Sequence, residues 1–307
     1  MKTVSVVVPV YYNEGSLPLL YERLTEAEAQ LAARGCALEL IFVDDGSGDG
    51  SFAELLKIKE KRPATRVIRL ARNFGAVRAS KTGLHFVTGD CFMWIAADLQ
   101  DPPSIILEMI EHWLNGSKFV IAVRAERQDP PLARLFSGLY YWLLRRLVIP
   151  DYPRGGFDLA LMDKTLLPYI RDSSKNVNTP LLAYWLGFQP VVLSYHRQKR
   201  LHGRSRWTFW KRFKFMIDSL LGFSVLPLRL MSLVGVVVSL LSFGYGTVVV
   251  VNALLGVRDV EGFPTLVALL TFLLGLIIVM LGIIGEYLWR IFDEINKRPE
   301  VVIDEIY

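Results

Sequence analysis

The chain has 307 residues, room for one α/β domain of about 200 residues and a smaller appendage, and 52% of its residues are hydrophobic. Its net charge is +5, from 35 Lys or Arg against 30 Asp or Glu. No nucleic-acid-binding signature accompanies that charge, so membrane phosphate explains it better than DNA or RNA. Cys36 and Cys91 are the only cysteines, which suggests neither a disulfide framework nor a cysteine zinc site and fits a reducing compartment.

From the N-terminus, β-branched runs alternate with amphipathic stretches. The pattern predicts strands over 4–10, 38–43, 66–71, 91–96 and 119–123, and helices over 17–34 and 102–115. Such alternation implies an α/β fold with a mostly parallel sheet and helices on both faces. The first strand starts almost at once and turns at Asn13-Glu14-Gly15, which predicts no signal peptide and a cytoplasmic first domain. Asp101, before Pro102-Pro103, reads as the capping acid of the second of these helices. Ligands of open parallel sheets gather at the carboxyl ends of strands, and polar residues stand there. They are Tyr11-Tyr12-Asn13-Glu14, Asp44-Asp45-Gly46-Ser47 and Asp98-Leu99-Gln100-Asp101. A dinucleotide fold needs G-x-G-x-x-G after the first strand, where this chain has Tyr-Tyr-Asn-Glu-Gly-Ser, so that reading drops out. His85, His112, His196 and His202 share no ligand spacing and read as loop or surface residues.

The C-terminal part differs in kind. About 28 uncharged residues separate Arg229 from Arg258, and about 24 separate Glu261 from Glu286, each more than the roughly 20 that span a bilayer. Arg197 to Lys214 holds eight Lys or Arg and no acid, and Arg290, Lys297 and Arg298 follow the second stretch. Both flanks therefore read as cytoplasmic. Trp207, Trp210, Phe213, Ile217 and Leu220 recur at helical spacing among basic residues, which predicts an amphipathic helix at the membrane interface. The expected divisions are 1–205 for the catalytic domain, 206–223 for the interface helix and 224–290 for two spans, at about 229–257 and 262–286. A cytoplasmic tail over 291–307 completes the chain.

Pro9-Val10-Tyr11-Tyr12-Asn13-Glu14, Val43-Asp44-Asp45-Gly46-Ser47 and Ala97-Asp98-Leu99-Gln100-Asp101-Pro102-Pro103 resemble the motifs of family-2 inverting glycosyltransferases of the GT-A fold. With the two-span tail, the chain is similar over essentially its whole length to polyisoprenyl-phosphate glycosyltransferases. That group includes dolichol-phosphate mannose synthases and bacterial undecaprenyl-phosphate glucosyl and aminoarabinosyl transferases. The resemblance implies a GT-A nucleotide-sugar-binding domain, amphipathic interface helices and a transmembrane hairpin in the bacterial inner membrane. It also implies transfer from a UDP- or GDP-linked sugar, UDP-glucose by analogy, to polyisoprenyl (undecaprenyl) phosphate with inversion.

By the same resemblance, Pro9, Tyr11, Asn13, Glu14, Asp44, Gly46 and Asp98 hold the donor, and Asp158 in Arg154-Gly155-Gly156-Phe157-Asp158 is the catalytic carboxylate. Asp98 and Gln100 are the expected ligands of Mg²⁺ or Mn²⁺. The family's metal motif reads Asp-Ala-Asp-x-Gln, and Ala96 stands here at its first acid, one charged ligand fewer. Two basic sets are candidates for the diphosphate and the lipid phosphate. One is Arg124, Arg127, Arg134 and Ser137. The other is Arg200, Arg204, Ser205 and Arg206, whose segment resembles Arg-x-x-Gly-x-Ser-Lys with Arg206 at the lysine. Which set meets which phosphate stays open.

Taken singly, Asn13 and Gly46 read equally well as turn formers, and Ser47 or Ser51 as a helix cap. Two other functions compete. A polysaccharide synthase would carry Gln-x-x-Arg-Trp, but Gly203 stands where Arg206-Trp207 would need the glutamine, and more than two spans would be required. A catalytically silent, membrane-bound nucleotide-sugar binder draws its support from Ala96. Gly235, Gly244, Gly246 and Gly275 offer small-residue packing between hairpins of a homo-oligomer.

Overall fold

The computed structural model describes residues 1–125, 131–175, 177–198, 209–255, 262–296 and 298–307. The chain divides into two compact units, one of Met1–Ser219 with Pro299–Tyr307 and one of Leu220–Arg298.

The first unit is built on an eight-stranded sheet. In chain order its strands are β1 (Lys2–Val10), β2 (Cys36–Asp44), β3 (Arg66–Leu70), β4 (Cys91–Trp94), β5 (Phe119–Arg124), β6 (Leu159–Asp163), β7 (Val191–Tyr195) and β8 (Ile303–Ile306). Across the sheet they run β7-β5-β6-β4-β1-β2-β3-β8. Only β6 and β8 oppose the common direction. The five predicted strands are all present. Val4, Val6, Val7, Val8 and Val10 of β1 are all buried, as expected where helices cover both faces and no polar alternation is needed.

Helix α1 (Leu17–Ala32) buries Leu17, Leu20, Leu24, Ala27 and Leu31, a helical stripe laid on the sheet. Helices α2 (Ser51–Lys61), α3 (Ala76–Leu84) and α4 (Pro103–Leu114) follow β2, β3 and β4, so the polar loops open at one sheet edge. The residue before α4 is Pro102, in extended conformation, and no side chain caps the helix. Asp101 is therefore not its cap, and its carboxylate is used elsewhere. Helix α5 (Pro131–Leu147) joins β5 to β6, and the short helices α6 (Leu167–Arg171) and α7 (Thr179–Trp185) join β6 to β7.

The segment expected as a tail ends in β8, antiparallel to β3. Main-chain bonds between Val67 and Tyr307, 2.8 and 3.0 Å, extend that ladder. The buried Lys81 anchors the segment, donating from Nζ to Glu300 Oε2 at 2.9 Å and to the Ser173 carbonyl. An otherwise open edge strand is thereby covered, which removes a row of unpaired main-chain groups.

Helix α8 (Phe209–Phe223) lies within 206–223, the range expected for an interface helix. Of its predicted apolar stripe, Trp207 and the side chains of Trp210 and Phe213 lie outside the described residues. In the second unit, α9 (Leu226–Leu254) and α10 (Phe263–Ile295) pair, with Tyr287 donating to the Ser224 carbonyl at 2.9 Å. Each contains a 27-residue apolar segment, about 40 Å at 1.5 Å per residue, whose apolar 18-residue stretch holds no buried residue. Both helices are long and apolar enough to cross a membrane, and their exposed Leu240, Phe243, Phe272 and Ile278 form the kind of surface lipid covers.

Candidate active site

The loops after β1, β2 and β4 are laced into one ledge. Tyr12 N–H donates to Ser47 Oγ at 3.1 Å, and Asn13 N–H to Ser51 Oγ at 2.7 Å. Gly50 N–H donates to Glu14 Oε2 at 3.0 Å. The Ser16 hydroxyl donates to the Ala97 carbonyl at 2.7 Å, joining the first loop to the fourth strand's. Ser47 and Ser51 thus receive backbone donors from the neighbouring loop and cap no helix, since Gly50 occupies the cap position of α2. Two non-glycine residues, Tyr12 (φ 57°) and Leu99 (φ 61°), have left-handed backbones in the loops after β1 and β4, a strain that recurs where chains are held for function.

Within this ledge the expected donor residues differ in what occupies them. Asn13 Oδ1 accepts from Tyr11 N–H at 2.9 Å, so its turn-forming role is real. Gly46 has φ +67°, and a Cβ there would stand 2.6 Å from the Arg72 carbonyl carbon, so only glycine fits. Pro9 pairs in register with Val43 near the end of β1. Asp44 is 0% exposed, with Ser47 N–H 3.3 Å from both its oxygens. Burial pushes its carboxyl above the usual range, against the Ser47 hydrogen bonds. Asp45, also raised chiefly by burial, accepts from Asn73 Nδ2, Phe74 N–H and Gly75 N–H at 2.7–2.9 Å and fastens the loop after β3.

A second cluster forms where antiparallel β6 begins beside the ends of β4, β5 and β7. Asp158 receives a two-pronged ion pair from Arg124, with Nε to Oδ2 and Nη2 to Oδ1 both at 2.6 Å. Tyr195, on β7, donates to Asp101 Oδ1 at 2.7 Å and stands 3.3 Å from Asp158 Oδ2. Burial raises the Asp101 carboxyl, and burial followed by the Asp101 and Asp158 charges raises the Tyr195 hydroxyl. Arg197 Nη2 lies 3.9 Å from Asp98 Oδ2. Gln100 Nε2 donates to the Gln198 carbonyl at 3.1 Å, and Gln198 N–H returns a bond to the Gln100 carbonyl at 2.9 Å.

Asp98, Gln100, Arg124 and Asp158 are therefore drawn into the same region. Ser137 sits half-buried on α5, one turn before Tyr141, whose hydroxyl crowds Gly156 two residues ahead of Asp158. Arg127, Arg200, Arg204, Ser205 and Arg206, and the Arg134 side chain, lie outside the described residues. Sequence reading missed three members, Asp101, Tyr195 and Arg197. Asp101 sits inside the Asp98-Leu99-Gln100-Asp101 run, a signal available but spent on capping. Tyr195 reads as an ordinary strand residue, and Arg197 is one basic residue in a basic run.

Among the described residues, no group of three or more His, Cys, Asp or Glu is placed to hold a metal. Asp98, 8% exposed, offers one carboxylate, with one oxygen accepting from Gln100 N–H at 3.3 Å. The Gln100 side-chain oxygen, Oε1, is a second hard atom. A cation that keeps waters and draws most of its ligands from substrate phosphates fits this donor set, whereas an all-protein cage does not.

The glycosyl transferase family 2 model matches residues 5–163, which contain the ledge, Asp98 and Asp158. An uncharacterized glycosyltransferase of Bacillus subtilis is 34% identical over 99% of this chain and 94% of its own length. A bactoprenol glucosyl transferase of Shigella phage SfII is 30% identical over 98% of this chain and 97% of its own. Mannosyl-3-phosphoglycerate synthase of Rubrobacter xylanophilus, 17% identical, shares the fold with a TM-score of 0.50 over 71% of each chain. With its GT-A-like sheet, its polar ledge and this breadth of likeness, the chain belongs to glycosyl transferase family 2, a family of sugar-transferring enzymes.

Proposed function

We propose that this glycosyltransferase moves a hexose from a nucleotide-sugar, UDP-glucose being the first choice, to a polyisoprenyl phosphate at the cytoplasmic face of a membrane. The carrying observation is the Arg124–Asp158 pair, joined through Tyr195 to Asp101 of the Asp98 motif, in a chain that also bears two apolar helices of spanning length. Full-length likeness to a bactoprenol glucosyl transferase supports both the lipid acceptor and the glucosyl donor. The basic flanks of the hairpin, Arg197 to Lys214 and Arg290 to Arg298, support the orientation.

The acceptor phosphate has a second pKa of about 6, so at neutral pH it is mostly dianionic and already nucleophilic. Asp158 then has little proton to take, and its role is to aim the nucleophile and hold Arg124. An arriving phosphate competes with Asp158 for the guanidinium fork, which matches phosphate as well as carboxylate. Attack by a phosphate oxygen on the anomeric carbon forms one C–O bond as the bond to the nucleoside diphosphate breaks. In-line displacement converts an α-linked donor to a β-linked product. Asp98 and Gln100 would hold a divalent cation, Mg²⁺ or Mn²⁺, which when bound neutralises charge on the departing diphosphate.

The test is label transfer. Purified full-length protein in detergent is incubated with undecaprenyl phosphate and radiolabelled UDP-glucose, UDP-GlcNAc or GDP-mannose, in Mg²⁺, Mn²⁺ or EDTA, and organic-phase label is counted. Label from one donor, lost in Asp158→Ala, is the expected result. Bound nucleotide without transfer from any of the three would favour the silent-binder reading, for which Ala96 and the single metal carboxylate are the observations.

A further inference from the structure

We infer that Arg197 is a donor-diphosphate-binding residue, its guanidinium doing part of the charge neutralisation for which the Ala96 position lacks a carboxylate-held cation. This rests on the nucleotide-sugar reading and assigns it a residue outside the set that the motifs pointed to.

Among the described residues two arginines, Arg124 and Arg197, face the acidic groups of this edge, and they are occupied very differently. Arg124 spends two nitrogens on Asp158 at 2.6 Å each. Arg197 approaches Asp98 only to 3.9 Å, beyond the 2.7–3.2 Å at which N–H···O bonds form. Its Nε is buried and has no hydrogen-bond partner among the described residues. A buried guanidinium N–H left unbonded is costly unless something else binds it, and water reaches this atom poorly. Arginine's parallel donors suit two oxygens of one anion. Asp98 stands at 3.9 Å, and the Arg197 charge is felt by the Asp101 carboxyl and the Tyr195 hydroxyl.

Ala96 adds the second half. It is exposed two residues before Asp98, and puts a methyl group where the family's metal motif carries its first acid. One fewer anion and a cation held only by a long ion pair shift the local balance toward binding an anion directly. A diphosphate seated here would meet Arg197 and, through any cation, Asp98.

The experiment is calorimetric titration of UDP and of GDP into the full-length protein in detergent, once in Mg²⁺ and once in EDTA, for the parent, Arg197→Ala and Arg197→Lys. The parent is expected to bind one nucleotide in EDTA within about tenfold of its Mg²⁺ affinity. Arg197→Ala weakens that nucleotide by about tenfold or more in both buffers, and Arg197→Lys, a point charge without the fork, recovers only part. Binding by Arg197→Ala within about twofold of the parent overturns the assignment while leaving the nucleotide-sugar reading intact. Parent binding abolished by EDTA overturns it too, since a cation would then carry the diphosphate. A parent that binds neither nucleotide overturns both.

Discussion

Replacing Asp44 by Asn separates what this residue does for folding from what it does for a ligand. The carboxylate is fully buried, its only hydrogen bonds within the described residues come from Ser47, and no cation pairs with it there at ion-pair distance. Its folded pKa is raised above the ordinary 3.8, burial being the main cause. A raised acid means that the folded chain binds more protons than the unfolded chain between 3.8 and the folded value. Unfolding free energy then falls as pH rises through that window, and above it the whole penalty is present. Asparagine keeps an oxygen for Ser47 N–H and removes the charge, which at about 2 kcal/mol of relieved desolvation raises the melting temperature by about 4–8 °C for a unit of this size. The gain should shrink toward zero near pH 4. Nucleotide affinity should move the other way, since losing one charge-assisted bond of about 1.5–3 kcal/mol weakens binding by about 10- to 150-fold. Thermal melting of the detergent-solubilised protein by tryptophan fluorescence, at pH 4 and pH 7, with nucleotide titration alongside, reads both. An Asn variant that melts below the parent at pH 7, or by the same margin at both pH values, would refute the electrostatic reasoning; an unchanged affinity would remove Asp44 from the donor site.

Gly46→Ala forces a left-handed alanine whose Cβ meets the Arg72 backbone, and melting should fall by at least about 2 °C for the roughly 1–2 kcal/mol of αL cost alone; an unchanged melt would mean the two loops part easily. Asp158→Asn turns one of the Arg124 contacts into donor against donor, so kcat should fall about 100-fold while donor KM stays within about threefold. Its pH–rate profile should keep an acid limb near about 6 from the acceptor phosphate, and loss of that limb would mark Asp158 as the titrating base. Tyr195→Phe removes the hydroxyl between Asp101 and Asp158 without changing the ring, and kcat should drop by about tenfold with KM unmoved, whereas a KM change would place the hydroxyl on a substrate.

Much was legible because it is local. β-branched apolar runs marked β1 to β5, the motifs after β1, β2 and β4 marked one sheet edge, and unbroken apolar length marked α9 and α10. Asp158 was legible through its motif alone. What the tertiary structure decided is which groups meet. Arg124 and Asp158 are 34 residues apart and close only because β6 runs antiparallel beside β5. Tyr195 reaches Asp101, 94 residues away, because β7 adds in parallel on the far side of β5. The covering of β3 by β8, from residues that looked like a tail, depends on edge pairing between segments more than 200 residues apart. Single-residue patterns record how a segment relates to core and solvent. They do not record partners across the sheet, because strand order and direction follow from how the whole chain packs.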